Sequence, residues 1–204
     1  MLGAMIKLYG FPQTRTNRVQ WTLEELGVAY EYVRVEVPRG AHKRPEHLAL
    51  HPHGSVPVLV DGEQTILESC AAVLYLADRY PAHDLAPPAA ERGAYYQWIV
   101  YAAATMDDPA IKTLFHARIL PPDRRQAAVV EAHRPTCETI VAHLERALAG
   151  RTWLLGDGFT AADVAVGYAL NLLDACGYVA GAEQTAAYLG RLRARPAFKA
   201  VYGG

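Results

Sequence analysis

The chain has 204 residues, of which 51% are apolar, enough for one large domain or two small domains with packed cores. Lys and Arg total 20 against 21 Asp and Glu, a net charge of −1, so no basic surplus predicts a nucleic-acid partner. No apolar run approaches the roughly 18 residues of a membrane span, and residues 1–10 lack a signal-peptide pattern. We therefore expect a soluble, cytoplasmic protein without a membrane partner.

The first elements alternate between strand and helix. Residues 5–9 alternate apolar and polar side chains as a short strand does, and the following helix presents Val19, Leu23 and Leu26 on one face before Gly27 ends it. Residues 30–37 predict a second strand. A polar, His-rich region follows, with one short helix expected at 44–50.

Residues 51–69 predict a loop, a strand, a tight turn at Asp61-Gly62, a second strand and a helix that begins at Glu68-Ser69. Val56 precedes Pro57, so its backbone favours an extended conformation whose N–H and C=O can pair with a peptide. The first N–H groups of the helix lack partners inside it and can bind a carboxylate, with the Ser69 hydroxyl as a further donor. This arrangement predicts a binding edge for a small extended ligand with an amino-acid end.

The sequence predicts helices throughout the second half of the chain. Three prolines in residues 81–90 predict a linker. Beyond it, apolar side chains with helical spacing predict helices around 95–106 and 130–148, and Thr160-Ala161-Ala162-Asp163 predicts a capping box that opens a very apolar helix through Leu173. Two final helices are expected at 183–193 and 196–202.

Several of these segments resemble the cytosolic glutathione S-transferase family, in its bacterial type with a Ser- or Thr-dependent active site. The family's G-x-V-P-V-L, E-S and Thr-x-x-Asp elements stand here as Gly54-Ser55-Val56-Pro57-Val58-Leu59, Glu68-Ser69 and Thr160-Ala161-Ala162-Asp163. The resemblance implies an α/β, thioredoxin-like N-terminal domain over residues 1–80 with Pro57 as its cis-proline. A linker over 81–90 and an all-helical domain over 91–204, which holds an electrophile pocket, complete the expected architecture.

The resemblance also implies the site residues. Thr14 and Thr16 stand where many family members have S-R-S-x-R-V, and the first hydroxyl is commonly the partner of the glutathione thiolate. Thr14 also lies at a helix start, where a cap is the simpler role and where the helix dipole favours an anion. Tyr9 is a rival hydroxyl donor, although its position inside a strand favours packing.

Glutathione, as co-substrate, is expected to contact Ser55, Val56, Pro57, Glu68 and Ser69. The Glu68 carboxylate would pair with the ligand's α-amino group, whereas a favourable charge in the first helical turn is its simpler role. Family members often place Lys or Gln where Ser55 stands, to contact the glycine carboxylate. Ser55 cannot form that ion pair, so Arg15 or a nearby histidine such as His42 is a candidate to replace it.

Other candidate sites carry weaker signals. His51 and His53 lie two residues apart without a clear third ligand, so we expect no metal. Asp107-Asp108-Pro109 predicts a helix end or kink rather than paired carboxylates. Cys70, Cys137 and Cys176 form no C-x-x-C motif and are expected to be buried thiols, and Cys70 is not expected to be a nucleophile.

The function that this pattern implies is a glutathione transferase that activates the thiol for attack on an apolar electrophile and forms a homodimer. Two alternatives remain open. The first alternative is a non-catalytic glutathione-fold module for ligand or protein binding, which the departures at Thr14 and Ser55 motivate. The second is a glutathione-dependent reductase or isomerase.

Overall fold

The computed structural model describes residues 5–203 and divides the chain into two compact units. Of the described residues, the first unit contains 5–83 together with 196–203, and the second unit contains 84–195. The sequence instead assigned all of 91–204 to the helical domain. The structure differs over the C-terminal residues, for the packing reason given below.

The first unit is built on one four-stranded sheet, in the order β2-β1-β3-β4. Its strands are β1 (Ile6–Gly10), β2 (Tyr30–Arg34), β3 (Val58–Asp61) and β4 (Gln64–Ile66). β1 runs parallel to β2 and antiparallel to β3, and β3 runs antiparallel to β4. The predicted parallel unit joined to an antiparallel hairpin is therefore confirmed.

The hairpin turn lies one residue further along than the sequence indicated. Asp61 pairs with Gln64, so Asp61 still belongs to β3 and the two turn residues are Gly62 and Glu63. Gly62 adopts a φ of 60°, a left-handed conformation that glycine reaches without the steric cost of a Cβ.

Most of the remaining chain is helical. In chain order the α-helices of the described residues are α1 (Thr16–Leu26), α2 (Pro45–Leu48), α3 (Ser69–Arg79), α4 (Arg92–Tyr101), α5 (Asp107–Leu114), α6 (Ala127–Ala147), α7 (Ala161–Ala175), α8 (Glu183–Ala194) and α9 (Pro196–Tyr202). Short 3-10 turns connect several of them, and wider π-helical turns follow α4 and α5. None of the helices in residues 5–203 combines the length and apolarity that crossing a membrane requires.

The last helix belongs to the first unit because it packs on α1. The Trp21 indole of α1 is fully buried and meets the Phe198 ring of α9 edge to face, with ring centroids 5.0 Å apart. Phe198 in turn stacks on Tyr202 at 4.2 Å. The periodicity of residues 196–202 predicted the helix correctly but contains no information about which aromatic partner it covers.

The second unit has α7 as its buried centre, and it is all-helical as predicted. Every residue from Ala161 to Leu170 is buried, and α4, α5 and α8 pack around this helix. The predicted capping box is present: the Thr160 side chain accepts from the third helical N–H, and the Asp163 carboxylate accepts from the Thr160 N–H at 2.8 Å.

The Asp107-Pro109 stretch is an irregularity within a longer helical run. Residues 102–106 form a π-turn, and α5 begins at Asp107 with Pro109 in its first turn. Proline has no N–H to donate to the carbonyl four residues earlier, so the backbone widens there. This agrees with a kink and not with a pair of facing carboxylates.

Candidate active site

A cavity of about 270 Å³ lies in the first unit, where three segments of the chain converge. Its lining residues are Arg15, His51, His53, Ser55, Val56, Pro57, Glu68 and Ser69. The structure thus brings together all the residues that were predicted to bind the ligand. Within the described chain, Thr14 and Thr16 are not part of this lining, although Arg15 between them is.

The Val56 backbone offers the edge that the sequence predicted. The Val56–Pro57 peptide bond is cis, as the resemblance implied. No residue of 5–203 forms a hydrogen bond with the Val56 N–H or C=O, and both groups stand just before β3 begins. An unpaired backbone edge of this kind can pair with an extended peptide.

The loop before Val56 requires a glycine at Gly54. This residue has a φ of +55°, and a Cβ placed on it would collide with the His42 carbonyl oxygen. The next carbonyl, that of Ser55, accepts a 2.8 Å hydrogen bond from Nε2 of the buried His47. The loop is therefore held in place by the close approach of the His42 backbone to Gly54 and by the hydrogen bond from His47.

Glu68 and Ser69 line the cavity from the start of α3. Glu68 has φ 66° and ψ 115°, a conformation that costs a non-glycine residue about 1–3 kcal/mol. Ser69 is the first residue of the helix, and only 4% of its surface is exposed. Its hydroxyl and the first helical N–H groups together form a donor set suited to a carboxylate.

Arg18 is a site residue that the sequence reasoning missed. Its guanidinium Nη1 donates a 2.8 Å hydrogen bond to the Ser69 Oγ, and both side chains are buried. Because the Ser69 oxygen accepts from Arg18, the hydroxyl proton remains available to donate to another acceptor. The signal was present in the sequence: Arg18 lies next to Val19 and eight residues before Leu26, on the buried face of α1.

Thr14 and Thr16 form a tight hydrogen-bonded turn before α1. The Thr14 hydroxyl lies 2.6 Å from the Phe11 carbonyl oxygen and 2.9 Å from the Thr16 Oγ1, and it accepts from the Thr16 N–H at 3.2 Å. Thr16 Oγ1 accepts from the Phe11 N–H at 3.3 Å. Thr14 is half-buried, whereas Thr16 is fully buried, so only Thr14 of the two can present its hydroxyl to a ligand.

His51 and His53 lie on the loop side of the cavity, with ring centroids 6.1 Å apart. The His53 N–H donates to His51 Nδ1 at 3.3 Å. Burial lowers the pKa of His51, and the nearby His47 lowers it further while Glu68 opposes the change. Residues 5–203 contain no group of three or more His, Cys, Asp or Glu side chains arranged to hold a metal ion.

The remaining candidates are placed as follows. Tyr9 is half-buried within β1, between Val33 and Val58 of its neighbouring strands. Cys70, the second residue of α3, and Cys137 are buried as predicted, whereas Cys176 is only half-buried, contrary to the prediction; none of the three forms a disulfide.

Two family models match the chain. Residues 4–78 match the model described as glutathione S-transferase, N-terminal domain, and residues 127–203 match the model described as glutathione S-transferase, C-terminal domain. These ranges contain the cavity in the first unit and α6 to α8 in the second.

Curated relatives and solved structures agree with the models. The chain is 35% identical to glutathione S-transferase 3 of Zea mays, with 96% of this chain and 92% of that protein aligned. It is 32% identical to the glutathione S-transferase GstB of Escherichia coli strain K12, over 79% of this chain and 80% of that protein. A solved structure of glutathione S-transferase III in apo form is 33% identical, with a TM-score of 0.87 and coverage of 98% and 97% of the two chains.

Proposed function

The chain belongs to the glutathione S-transferase family and is a glutathione transferase, and on this premise we propose that its cavity binds glutathione and that Thr14 activates the bound thiol. The single observation that supports the binding half is the convergence of three groups on one cavity. These are the unpaired Val56 backbone, the Glu68 carboxylate and the Ser69 hydroxyl at the start of α3.

Each group matches one part of the tripeptide. Val56 offers its N–H and C=O to the central cysteinyl residue. Ser69 and the first N–H groups of α3 receive the α-carboxylate of the γ-glutamyl residue, and the Glu68 carboxylate pairs with its α-amino group. The strained backbone of Glu68 supports this role, because such conformations concentrate where a side chain must point into a site.

Activation of the thiol requires stabilisation of the thiolate. A free thiol has a pKa of about 8.5, and lowering that pKa by two units takes about 2.7 kcal/mol of extra stabilisation of the anion. The Thr14 hydroxyl, just before α1, can supply a hydrogen bond in the field of the helix N-terminus. To do so the Thr14 hydroxyl rotates away from the Phe11 carbonyl oxygen, while the hydrogen bond from the Phe11 N–H to Thr16 Oγ1 keeps the turn in place.

The second substrate is proposed to be an apolar electrophile bound by the helical unit. That unit exposes large apolar side chains at two places, at Tyr96 and Val100 on α4 and at Phe115 and Ile119 in the turn after α5. Membership of the family supports a homodimer as the working form. The thiolate sulfur then forms a bond to the electrophilic carbon, and the bond from that carbon to its leaving group, such as chloride in an activated aryl chloride, breaks as the leaving group departs with the electron pair.

The Ser69→Ala variant tests the binding half of the proposal. Removal of a hydrogen bond to a charged ligand group weakens glutathione binding by roughly 10- to 100-fold. Calorimetric titration measures the dissociation constant, and conjugation to an activated aryl chloride measures turnover. Thr65→Ala, which removes an exposed hydroxyl from β4 outside the cavity, is the control and keeps wild-type affinity. Equal affinities for wild type and Ser69→Ala would remove Ser69 from the site.

A further inference from the structure

The helical run through α5 ends in a π-helical turn, Phe115–Ile119, which carries two exposed apolar side chains. Phe115 is 45% exposed and Ile119 is 54% exposed, and side chains four residues apart on a helical turn lie on the same side. The chain leaves the helix at Leu120, whose backbone is extended. Core packing accounts for little of the position of this pair, so its arrangement depends on how the backbone of the turn is held.

The Arg125 guanidinium holds the backbone on both sides of Ile119. Its Nη2 donates a 2.8 Å hydrogen bond to the Arg118 carbonyl oxygen, and its Nε donates a 2.7 Å hydrogen bond to the Leu120 carbonyl oxygen. The last carbonyl groups of a helix have no partner within it, so they can accept such bonds. Because the N–H donors of a guanidinium are fixed in one plane, the two carbonyls are held at a set separation, with Ile119 between them.

Two further hydrogen bonds join the following loop to the same turn. The Leu120 N–H donates to the Phe115 carbonyl oxygen at 2.9 Å. The Gln126 N–H, just before α6, donates to His116 Nδ1 at 3.1 Å. The segment 120–126 is thus bonded to the turn at both of its ends, and the turn and the loop form one hydrogen-bonded unit.

The proposed function, on which this inference rests, assigns an apolar electrophile to exposed apolar side chains of the second unit. Tyr96 and Val100 lie within the regular helix α4, whereas Phe115 and Ile119 lie on a π-helical turn, a geometry that is frequent at functional sites. We infer that Arg125 is a positioning residue for the electrophile, which contacts Phe115 and Ile119 and not Arg125 itself.

The exposure of Arg125 separates a positioning role from a stabilising one. Water replaces the hydrogen bonds of an exposed side chain at little cost, so their loss changes the free energy of unfolding only slightly. Water molecules do not hold two carbonyls at a set separation, however, so the turn loses its single arrangement. A substitution of Arg125 is therefore expected to affect electrophile binding more than stability.

Three variants test this role. Arg125→Met keeps a long aliphatic side chain and removes every donor. Arg125→Lys keeps the positive charge but lacks the planar set of donors that reaches both carbonyls. Arg124→Met changes the adjacent exposed arginine of the same loop and is the matched control.

Steady-state conjugation of glutathione to an activated aryl chloride, whose ring can pack on the Phe115 ring, is the measurement. We expect the KM for the aryl chloride to rise about three- to tenfold in Arg125→Met and in Arg125→Lys, while kcat and the KM for glutathione change by less than about twofold. Arg124→Met keeps the wild-type values. In an Ile119→Ala background Arg125→Met should add little, because the side chain that Arg125 positions is already absent.

An unchanged KM for the aryl chloride in Arg125→Met, or an equal rise of KM for both substrates, would overturn the inference. Full recovery in Arg125→Lys would assign the effect to charge alone, and independent effects of Arg125→Met and Ile119→Ala in the double variant would separate the two residues; either result also overturns it. A wild-type protein that conjugates no activated aryl chloride would instead overturn the proposed function, and this inference with it.

Discussion

At the scale of single residues, buried side chains hold the groups that we propose contact glutathione. Arg18 fixes the Ser69 hydroxyl at 2.8 Å, and His47 fixes the Ser55 carbonyl at the same distance. Neither of these supporting side chains lines the cavity itself. Their substitution is therefore expected to alter binding through the orientation of a neighbour and not through a lost ligand contact.

Thr14→Val removes the hydroxyl that we assign to the thiolate and keeps the branched shape of the side chain. A hydrogen bond to a charged group contributes about 1.5–3 kcal/mol, and one pKa unit corresponds to about 1.4 kcal/mol. The pKa of the bound glutathione thiol should therefore rise by roughly one to two units, while glutathione affinity changes little. Thiolate absorbance measured against pH, at saturating glutathione, gives both values.

Thr14→Ser is the matched control for that experiment, because it keeps the hydroxyl and removes only the methyl group. It should retain the wild-type thiol pKa. If Thr14→Val and Thr14→Ser both behave as the wild type does, the hydroxyl stays with the Phe11 carbonyl and Thr14 is only part of the turn.

The residues of the binding edge could be named from the sequence because they are local. Val56-Pro57 and Glu68-Ser69 carry their geometry in adjacent residue types, such as a proline that biases its predecessor and a serine at a helix start. The partnership of Arg18 with Ser69 spans 51 positions and depends on how α1 packs on α3. No local pattern contains that pairing.

At the scale of elements, polar side chains cap helices across the second unit. The Asp163 carboxylate in α7 accepts hydrogen bonds from the Thr160 N–H and hydroxyl, the Leu154 N–H and the Tyr188 hydroxyl. Burial raises the pKa of Asp163, although these four donors oppose the change. One carboxylate thus ties the start of α7 to the preceding loop and to α8.

Asp163→Asn should destabilise the protein by about 3 kcal/mol, because an amide group presents its own N–H atoms to donors that need an acceptor. The expected readout is a lower urea concentration at the midpoint of unfolding. Asp157→Asn changes an exposed aspartate in the same loop and should leave the midpoint unchanged. A midpoint in Asp163→Asn that matches the wild type would show that the network does not stabilise the fold.

The Glu145 carboxylate of α6 caps the N-terminus of the neighbouring helix α8. Its carboxylate accepts from the Gln184 N–H at 2.9 Å, the Thr185 N–H at 2.9 Å and the Thr185 hydroxyl at 2.7 Å. Burial tends to raise the pKa of Glu145, but these hydrogen bonds outweigh it and the pKa is lowered from the usual value of 4.5. The folded state therefore binds this proton less readily than the unfolded state does.

The lowered pKa of Glu145 determines the direction in which its contribution to the stability of the protein changes with pH. The stabilisation by Glu145 is fully present above the unfolded-state pKa and is lost as the pH falls through the folded-state pKa. Wild type should therefore exceed Glu145→Gln in stability at pH 7, and the difference should shrink below about pH 4. Urea unfolding at both pH values measures it, with the exposed Glu138→Gln on the same helix as control. A difference independent of pH would contradict the capping role.

At the scale of the whole molecule, periodicity predicted most of the architecture. Alternating and helical patterns gave the four-stranded sheet, the helical second unit and the capping box, because each depends on residues close in sequence. The packing of α9 with the first unit was not predictable, since it depends on Trp21 and Phe198, which are far apart in the chain. The one-residue error in the hairpin turn arose because Asp61 can serve equally as a strand end or a turn residue.

The pKa of the thiol of bound glutathione tests the central claim most directly. Wild-type protein at saturating glutathione is titrated with base while thiolate absorbance is followed, after calorimetry has established saturation. The account predicts saturable binding and a thiol pKa about two units below the free value of about 8.5. Saturable binding with an unshifted pKa would contradict thiol activation, and the absence of saturable binding would contradict the assignment of the cavity to glutathione.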